Sequence, residues 1–536
     1  MPSHCLTAAA VLLAFGATLP AYAADSSACQ TCHSDVAKSH GGAAHKNVPC
    51  TTCHSGLDEH LKLATNRPAT NMDPAVCGGC HEPQYKSLYA QSDRPARQPK
   101  KLAGGPAPDP FFDRALGGHG FTKEHDLPRS HVWMMIDQFA VDRAFGGRFE
   151  PKDGWLYAGL EGGKSYKVWD VLKDTKPDST EHKPFKPGTA AAANAVCLSC
   201  KTSDLMLDWA YLGDKAEGAA YHRGSNVVEM ARQSQHAMNC NFCHDPHSAK
   251  PRIIRDALIE AVTRDDKDAP NVWRDAAAHK TELDVRTAGV RGFTRKVAYM
   301  DKADANLMCA QCHVEYICNP GTNVNTGKSV GMDSPLTNHF PFVNADEIEA
   351  YYDKIGFRDF KHSLTGAQLV KMQHPDAETF FGSKHDKIGA DCATCHMPKV
   401  KDEKTGKTYT LHWSTSPRHY MKETCLTCHK DKTEKQMNAV IDAMKGHYDG
   451  KVREAESRMN DMFNAFEDAI AAKVDEKTLN EARKLHASAH INWEYWTAVN
   501  GAWFHNPEMA SRSLAKSAQA AQDATSLLRK AIAEKK

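Results

Sequence analysis

Apolar positions are spread unevenly along the 536 residues. From about residue 431 onward Gly and Pro become scarce, and apolar residues recur at helical spacing, as in Val440, Met444, Met459, Met462, Phe463 and Phe466. That period predicts long amphipathic helices over 431–536, with one face in a core or against another copy of the chain. Residues 24–90, by contrast, are interrupted by Pro and Gly and keep no long helical period. Residues 91–196 are punctuated by Gly104-Gly105-Pro106, Gly117-Gly118, Gly146-Gly147 and Gly162-Gly163, which mark loops. Residues 246–308 read as mostly helical and charged. Near the amino terminus, Leu6 to Leu19 is a short apolar stretch, followed by the cleavage pattern Ala21-Tyr22-Ala23. The stretch is too short to cross a bilayer, although its flank lacks Lys and Arg. The expectation is a signal peptide over 1–23, export to the periplasm, and no transmembrane segment.

The cysteines change the picture. With 18 Cys and 29 His in the chain, random placement would give roughly 0.03 Cys-x-x-Cys-His matches. Seven are present: Cys29, Cys32 and His33; Cys50, Cys53 and His54; Cys77, Cys80 and His81; Cys240, Cys243 and His244; Cys309, Cys312 and His313; Cys392, Cys395 and His396; Cys425, Cys428 and His429. An eighth site, Cys197-Leu198-Ser199-Cys200-Lys201, ends in Lys. Together they leave only Cys5 and Cys318 unassigned. Cys-x-x-Cys-His is the covalent attachment signature of c-type haem: the thiols form thioethers and the His ligates the iron. Structural zinc does not require a His after each second Cys. A disulfide across two residues closes too small a loop to staple anything.

Eight covalently bound haems leave 536/8, about 67 residues each, too few to give each haem its own domain. The porphyrins must then form much of the core. The expected fold is mainly α with little β, a haem-packed core and long C-terminal helices. Three motifs crowd into residues 24–90, so 24–125 reads as an electron-entry domain, 126–430 as a five-haem catalytic domain, and 431–536 as helices for packing or oligomerisation. His40, His45 and His60, between the early motifs, are candidate distal ligands. The formal charge of +1 gives no basic field for nucleic acid.

Lys201 is the informative departure. A haem iron held by two His is saturated and passes electrons, whereas an iron held from below by an amine has room for a substrate. A saturated haem with Lys simply replacing His is the plainer reading. A second cluster argues against it: Glu315 and Gln373 are hard oxygen donors suited to Ca²⁺, Tyr316 and His374 can supply hydrogen bonds and protons, and Arg143 carries a permanent charge.

These residues carry a resemblance. Cys197-Leu198-Ser199-Cys200-Lys201, Gln311-Cys312-His313-Val314-Glu315-Tyr316 and Lys371-Met372-Gln373-His374-Pro375 resemble the motifs of the ammonia-forming cytochrome c nitrite reductases. Pro128-Arg129-Ser130-His131, followed twelve residues on by Arg143, fits the same pattern. Three additional N-terminal motifs make the chain similar to the octahaem members. The resemblance implies that Lys201 is the proximal ligand of the catalytic haem, with Arg143, Tyr316 and His374 lining its distal pocket. It implies a calcium held by the side chains of Glu315 and Gln373 and the carbonyls of Tyr316 and Lys371. His131, His385, His412 and His505 would be distal ligands of the last four bis-His haems. His45, His60, His119, His125 and His236 form the pool for the first three.

Cys318 matches the octahaem pattern, in which such a Cys is bonded through sulfur to the catalytic Tyr; residues two apart on an extended segment share a side. An inert buried thiol is the alternative. The implied reaction reduces nitrite to ammonium, with Arg143 and a protonated His374 attracting the anion. Hydroxylamine and sulfite are further candidate substrates. The donor would be an electron-transfer protein or quinol-linked cytochrome, and the assembly a trimer or hexamer. A multihaem electron wire, or an octahaem hydroxylamine or tetrathionate oxidoreductase, are the competing readings.

Overall fold

The structure is a computed structural model that describes residues 27–89, 194–265, 270–276 and 281–535. It also describes short pieces between 111 and 150: Phe111, Arg114–Ala115, Gly120–Phe121, His131–Met135, Arg143–Phe145 and Arg148–Glu150. The expected signal peptide, Cys5, His119, His125 and Arg129 lie outside the described residues. The chain divides into two compact units, one running to Met72 with His247–Ala249, the other comprising Asp73–Pro246 and Lys250–Lys536.

In the first unit, short helices at Ser34–Gly41 and Leu57–Lys62 and a two-residue ladder, His54–Ser55 against Ala69–Thr70, surround the first two motifs. Neither helix buries a side chain. A segment of this size whose described residues form no side-chain core cannot offset its chain entropy unaided, which is the condition a bound porphyrin relieves.

The second unit is mainly helical. Its C-terminal part is built from α1 (Glu434–Ala471), α2 (Glu476–Ala498) and α3 (Pro507–Lys535). Thr433 and Gln436 form a capping box at the start of α1, and Asp475 caps α2 by accepting from Thr478 N. Met459, Met462, Phe463 and Phe466 of α1 pack with Trp493 and Trp496 of α2 and with Leu514 and Leu528 of α3. Each such buried side chain contributes about 1.5–3 kcal/mol of transfer free energy. Ala510, Ser513, Ser517, Ala521 and Ala524 give α3 a buried stripe of small residues, which lets helix axes approach closely. The expected apolar stripe slips at the start of α1: Val440 is 41% exposed, and Ile441 packs instead with Met437 and Met421.

The reading of 246–308 as mostly helical is corrected. Among the described residues of that segment only Asp256–Thr263 and the start of the helix Ala305–Ala310 are helical. β1 (Arg252–Ile253), β2 (Leu283–Val290) and β3 (Phe293–Met300) form an antiparallel sheet in the order β1-β3-β2. Phe293, Arg295 and Val297 point inward while Thr294 and Lys296 are exposed, the period of two that defines a strand. Val290 pairs with Phe293 across Arg291-Gly292, whose φ values of 43° and 95° suit the tight two-residue turn of a twisted hairpin.

Candidate active site

Lys201 stands just past a short helix, Ala195–Leu198, which Asn194 caps by accepting from Cys197 N at 3.2 Å. The same Asn194 donates through Nδ2 to the Cys318 carbonyl at 2.5 Å, joining the Lys motif to the 315–318 segment. Asp304 caps Ala305–Ala310, the helix that delivers Cys309–His313. Gln311 Oε1 accepts from Ile254 N (2.8 Å) and Arg255 N (3.2 Å) and so anchors that motif to the residues just after β1.

The motifs meet one another through their cysteines. The thiols of Cys77 and Cys240 share a hydrogen bond, as do those of Cys309 and Cys392, and those of Cys200 and Cys312. Cys243 feels Cys309, and Cys395 feels Cys425. The third, fifth, sixth, seventh and eighth motifs therefore form a spatial series, and the Lys motif joins it at the sixth.

Whether the residues suit axial ligation can be tested on the histidines. A ligating ring normally donates its other N–H to an oxygen. His313 Nδ1 lies 2.7 Å from Asp376 Oδ2, His396 Nδ1 2.9 Å from Thr415 O, His412 Nδ1 2.8 Å from Thr410 O and His60 Nδ1 2.8 Å from Asn66 O. Each of these leaves Nε2 for a metal. With metal–imidazole bonds of about 2.0–2.1 Å, two rings trans on one metal have centroids about 6.3 Å apart. His33–His60 lie at 6.0 Å, His54–His247 and His131–His313 at 6.2 Å, His396–His505 at 6.3 Å and His385–His429 at 6.5 Å. The residues present thus fit haem.

Two placements differ from expectation. His412, expected to serve one of the last four bis-His haems, feels His81 of the third motif. His247, absent from the expected pool, stacks parallel to His54 at an interplanar angle of 7°. His45 follows the Ser34–Gly41 helix and accepts from Val48 N. His236 hangs from Asp204 through its backbone N–H, with a buried, unpartnered Nδ1.

Around Lys201 the structure gathers His131, His313 and His374, all of which feel its ammonium. Tyr316 lies 5.6 Å from His374, ring centre to centre, and 6.0 Å from Phe340. Burial pushes the Tyr316 phenol well above its ordinary value and His374 down to about 3. His374 is therefore a neutral ring at neutral pH, not the protonated one expected, because no carboxylate offsets its desolvation strongly enough. Arg143 begins a strand, Arg143–Phe145, between Gly120–Phe121 and Arg148–Glu150; its side chain lies outside the described residues. Cys318 is buried, accepts from Gln373 Nε2 at 3.1 Å and shares a hydrogen bond with Cys197.

The expected calcium donors also converge. Glu315 is fully buried; Oε1 accepts from Tyr352 OH and Oε2 from Gln373 N, both at 2.7 Å. Lys371 Nζ donates to Gln373 Oε1 at 2.8 Å, placing a positive charge at an expected metal donor. Burial raises Glu315 to about 8 and nearby Asp359 to about 7, opposed by the Lys371 charge. Among the described residues no three His, Cys, Asp or Glu side chains converge on one point. A carboxylate, an amide oxygen and carbonyls remain a donor set suited to Ca²⁺, which would take the place the Lys371 ammonium holds at Gln373 Oε1.

Sequence reasoning missed three neighbours. Glu378 accepts from Glu315 N at 2.9 Å, Tyr352 bonds Glu315, and Arg255 is fully buried against the Phe340 ring at 5.1 Å. None belongs to a motif, and each signals itself only through burial.

Haem-attachment motifs on a mainly helical fold define a multihaem c-type cytochrome. Residues 151–536 match the Cytochrome c552 family, and the chain belongs to it. It is similar to cytochrome c-552 of Haemophilus influenzae, at 29% identity over 431 residues, covering 77% of this chain and 66% of that protein. It is similar also to cytochrome c-552 of Parabacteroides distasonis, at 29% over 433 residues, covering 78% and 68%. The chain thus spans just under two thirds of the length of the first relative. Among solved structures its fold is similar to that of cytochrome c nitrite reductase from Desulfovibrio desulfuricans, described with two calcium sites: TM-score 0.57, 21% identity, 85% of this chain and 86% of that one. Among the described residues no helix is long and apolar enough to cross a membrane.

Proposed function

We propose that the protein is a periplasmic octahaem nitrite reductase forming ammonium at the Lys201 site, with a calcium beside it. The observation that carries this reading is the convergence of Lys201, in the position other motifs give to His, with Tyr316 and His374. A haem held by Cys197, Cys200 and Lys201 would supply an open coordination position and electrons. The chain's own groups do the rest. Arg143 brings the fixed positive charge that favours an anion. His374, neutral, offers a hydrogen bond without competing for the charge. Tyr316, kept as a phenol by burial, holds a proton close to the same place. Glu315 and Gln373 with the carbonyls of Tyr316 and Lys371 would hold the calcium, which fixes both segments that carry pocket residues. Hydroxylamine and sulfite fit the same small site. An electron-transfer protein or quinol-linked cytochrome would donate electrons, and self-association as a trimer or hexamer is part of the proposal.

The test is anaerobic turnover of nitrite with reduced viologen, counting ammonium per electron. One ammonium per six electrons is expected from the holoprotein, and Lys201→His should keep haem content while turnover falls by about 100-fold or more. Unchanged turnover in that variant would refute the site.

A further inference from the structure

Asn338 carries an unusual backbone. Its φ is 95°, in the left-handed region that residues other than glycine seldom adopt, and it is buried. Four residues on, Phe342 repeats the exception with a φ of 55°. A bulky residue there is strained, and strained residues persist only where the surroundings over-determine them. At Asn338 they do. Its Oδ1 accepts from Arg255 Nη2 at 2.6 Å, and its Nδ2 donates to Asp256 Oδ2 at 3.0 Å. Arg255 Nη1 donates to Asp256 Oδ1 at 2.7 Å, and Trp209 Nε1 to Asp256 Oδ2 at 2.9 Å. Arg255, Asp256 and Trp209 are all fully buried.

Stability does not account for this network. Burying an ion pair carries a large desolvation cost, and apolar residues of similar size often serve a core as well or better. Arg255 Nε is moreover left without a partner. What the network fixes is the course of the chain, which meets the pocket twice. Asn338 N donates to Ile317 O at 2.7 Å and Ile317 N donates to His339 O at 2.9 Å, an isolated antiparallel bridge. Two residues after Asn338, the buried Phe340 ring lies 6.0 Å from the Tyr316 ring and 5.1 Å from the Arg255 guanidinium carbon. Arg264 Nη2 donates to Phe340 O at 2.9 Å and holds the turn there.

The segment that carries Tyr316 is thus held along its whole length. Glu315 accepts from Tyr352 OH and Gln373 N, and Asn194 Nδ2 donates to Cys318 O. Ile317, between Tyr316 and Cys318, is held through its backbone N–H and carbonyl by the 338–339 pair. We propose that Asn338, locked by Arg255 and Asp256, is a positioning residue for the Tyr316 phenol. The proposal rests on the nitrite-reducing reading, in which Tyr316 holds a proton beside the bound anion. Asn338 touches no substrate; it acts through the Ile317 bridge and the Phe340 ring. A displacement of about 1 Å at a reacting group can cost about 100-fold in rate. A residue that sets only the place of the phenol therefore acts on turnover far more than on anion binding.

The experiment is a double-mutant cycle on full-length holoprotein: wild type, Asn338→Ala, Tyr316→Phe and the double variant, in nitrite turnover with reduced viologen. Asn338→Ala removes both side-chain bonds and is disfavoured at this φ. We expect it to lower kcat about tenfold, with KM for nitrite within about twofold and haem content unchanged. In the Tyr316→Phe background the same substitution should lower kcat by less than about twofold, because the phenol through which Asn338 acts is gone. Unchanged kcat in Asn338→Ala, or the same fold-loss in both backgrounds, would overturn the proposal and leave a structural role. Should Asn338→Ala fail to load haem, Phe340→Leu, which leaves the polar network whole, takes its place in the cycle with the same expectations. Crystal structures of wild type and variant supply a measurement independent of the reaction: a Tyr316 ring shifted relative to His374 supports the proposal, and an unmoved ring removes it. Wild type forming no ammonium would instead count against the nitrite reading itself.

Discussion

Asp376 holds the ring of His313 by a 2.7 Å bond from Nδ1 to Oδ2, and Asn500 holds Asp376 in turn through N at 2.7 Å and Nδ2 at 3.0 Å. Burial alone would lower the His313 pKa; the Asp376 bond and charge more than offset it, and the net shift is upward. A carboxylate partner makes the imidazole a stronger donor toward a metal on Nε2. In Asp376→Asn the shape is kept and the charge is lost. One haem potential should move up by on the order of 60 mV, the equivalent of about 1.4 kcal/mol for one electron. Spectroelectrochemical titration reads this directly. Potentials identical to wild type would show that the bond only orients the ring.

The calcium reading predicts a particular pH dependence. Without metal, Glu315 titrates near 8 and Asp359 near 7, both raised by burial. Between the ordinary carboxylate range and those values the folded state holds protons that the unfolded state has released, so stability falls as pH rises. The chelator-treated protein should therefore lose thermal stability from about pH 5 to pH 8. Added Ca²⁺, which binds the ionised carboxylates, should restore more of it at pH 8 than at pH 5. Glu315→Gln should flatten both effects. Thermal melts across pH, with chelator and with calcium, decide the matter; a calcium effect independent of pH would exclude Glu315 as a donor.

What could be read from the chain alone follows from how local each signal is. The eight Cys pairs are contiguous motifs, and the helical period of 431–536 spans many turns, so both were legible. The strand pattern of 283–300 was not, because its outward positions carry Asp284, Arg286 and Lys296, charges that read equally well as an exposed helix face. The two-residue turn at Arg291-Gly292 was the available clue. The neighbours of His247 and His412 were not legible for another reason: a distal ligand is one side chain whose motif lies elsewhere in sequence, and only folding sets His247 parallel to His54. The neutrality of His374 was equally hidden, since burial decides it rather than residue type.

The three C-terminal helices give a stability prediction. Phe463 is fully buried, stacks on His362 at 5.4 Å with rings 9° from parallel, and meets His486 edge-on at 5.3 Å. Phe463→Ala removes a ring from a close-packed site and leaves a cavity, costing about 3–5 kcal/mol. The urea midpoint should drop accordingly with haem content unchanged. A loss below about 1 kcal/mol would mean that α1 and α2 collapse to fill the space.

His247 gives the sharpest test of the pairing geometry in the first unit. Its ring and that of His54 are 6.2 Å apart and 7° from parallel, and Thr70 Oγ1 lies 3.1 Å from His54 Nδ1, which leaves His54 Nε2 on the side away from that contact. Burial and the nearby His33 charge lower the His54 pKa, favouring the neutral ring that a metal requires. If His54 and His247 share one iron, His247→Ala should convert a single haem from low spin to high spin. His60→Ala should do the same for the first motif, whose His33 lies 6.0 Å away. The double variant should then show two such haems, since the two pairs share no ligand. Electron paramagnetic resonance of the oxidised protein counts them. A fully low-spin spectrum in His247→Ala would mean that the second motif takes its distal ligand from elsewhere in the chain, and the parallel stacking of the two rings would then be packing alone.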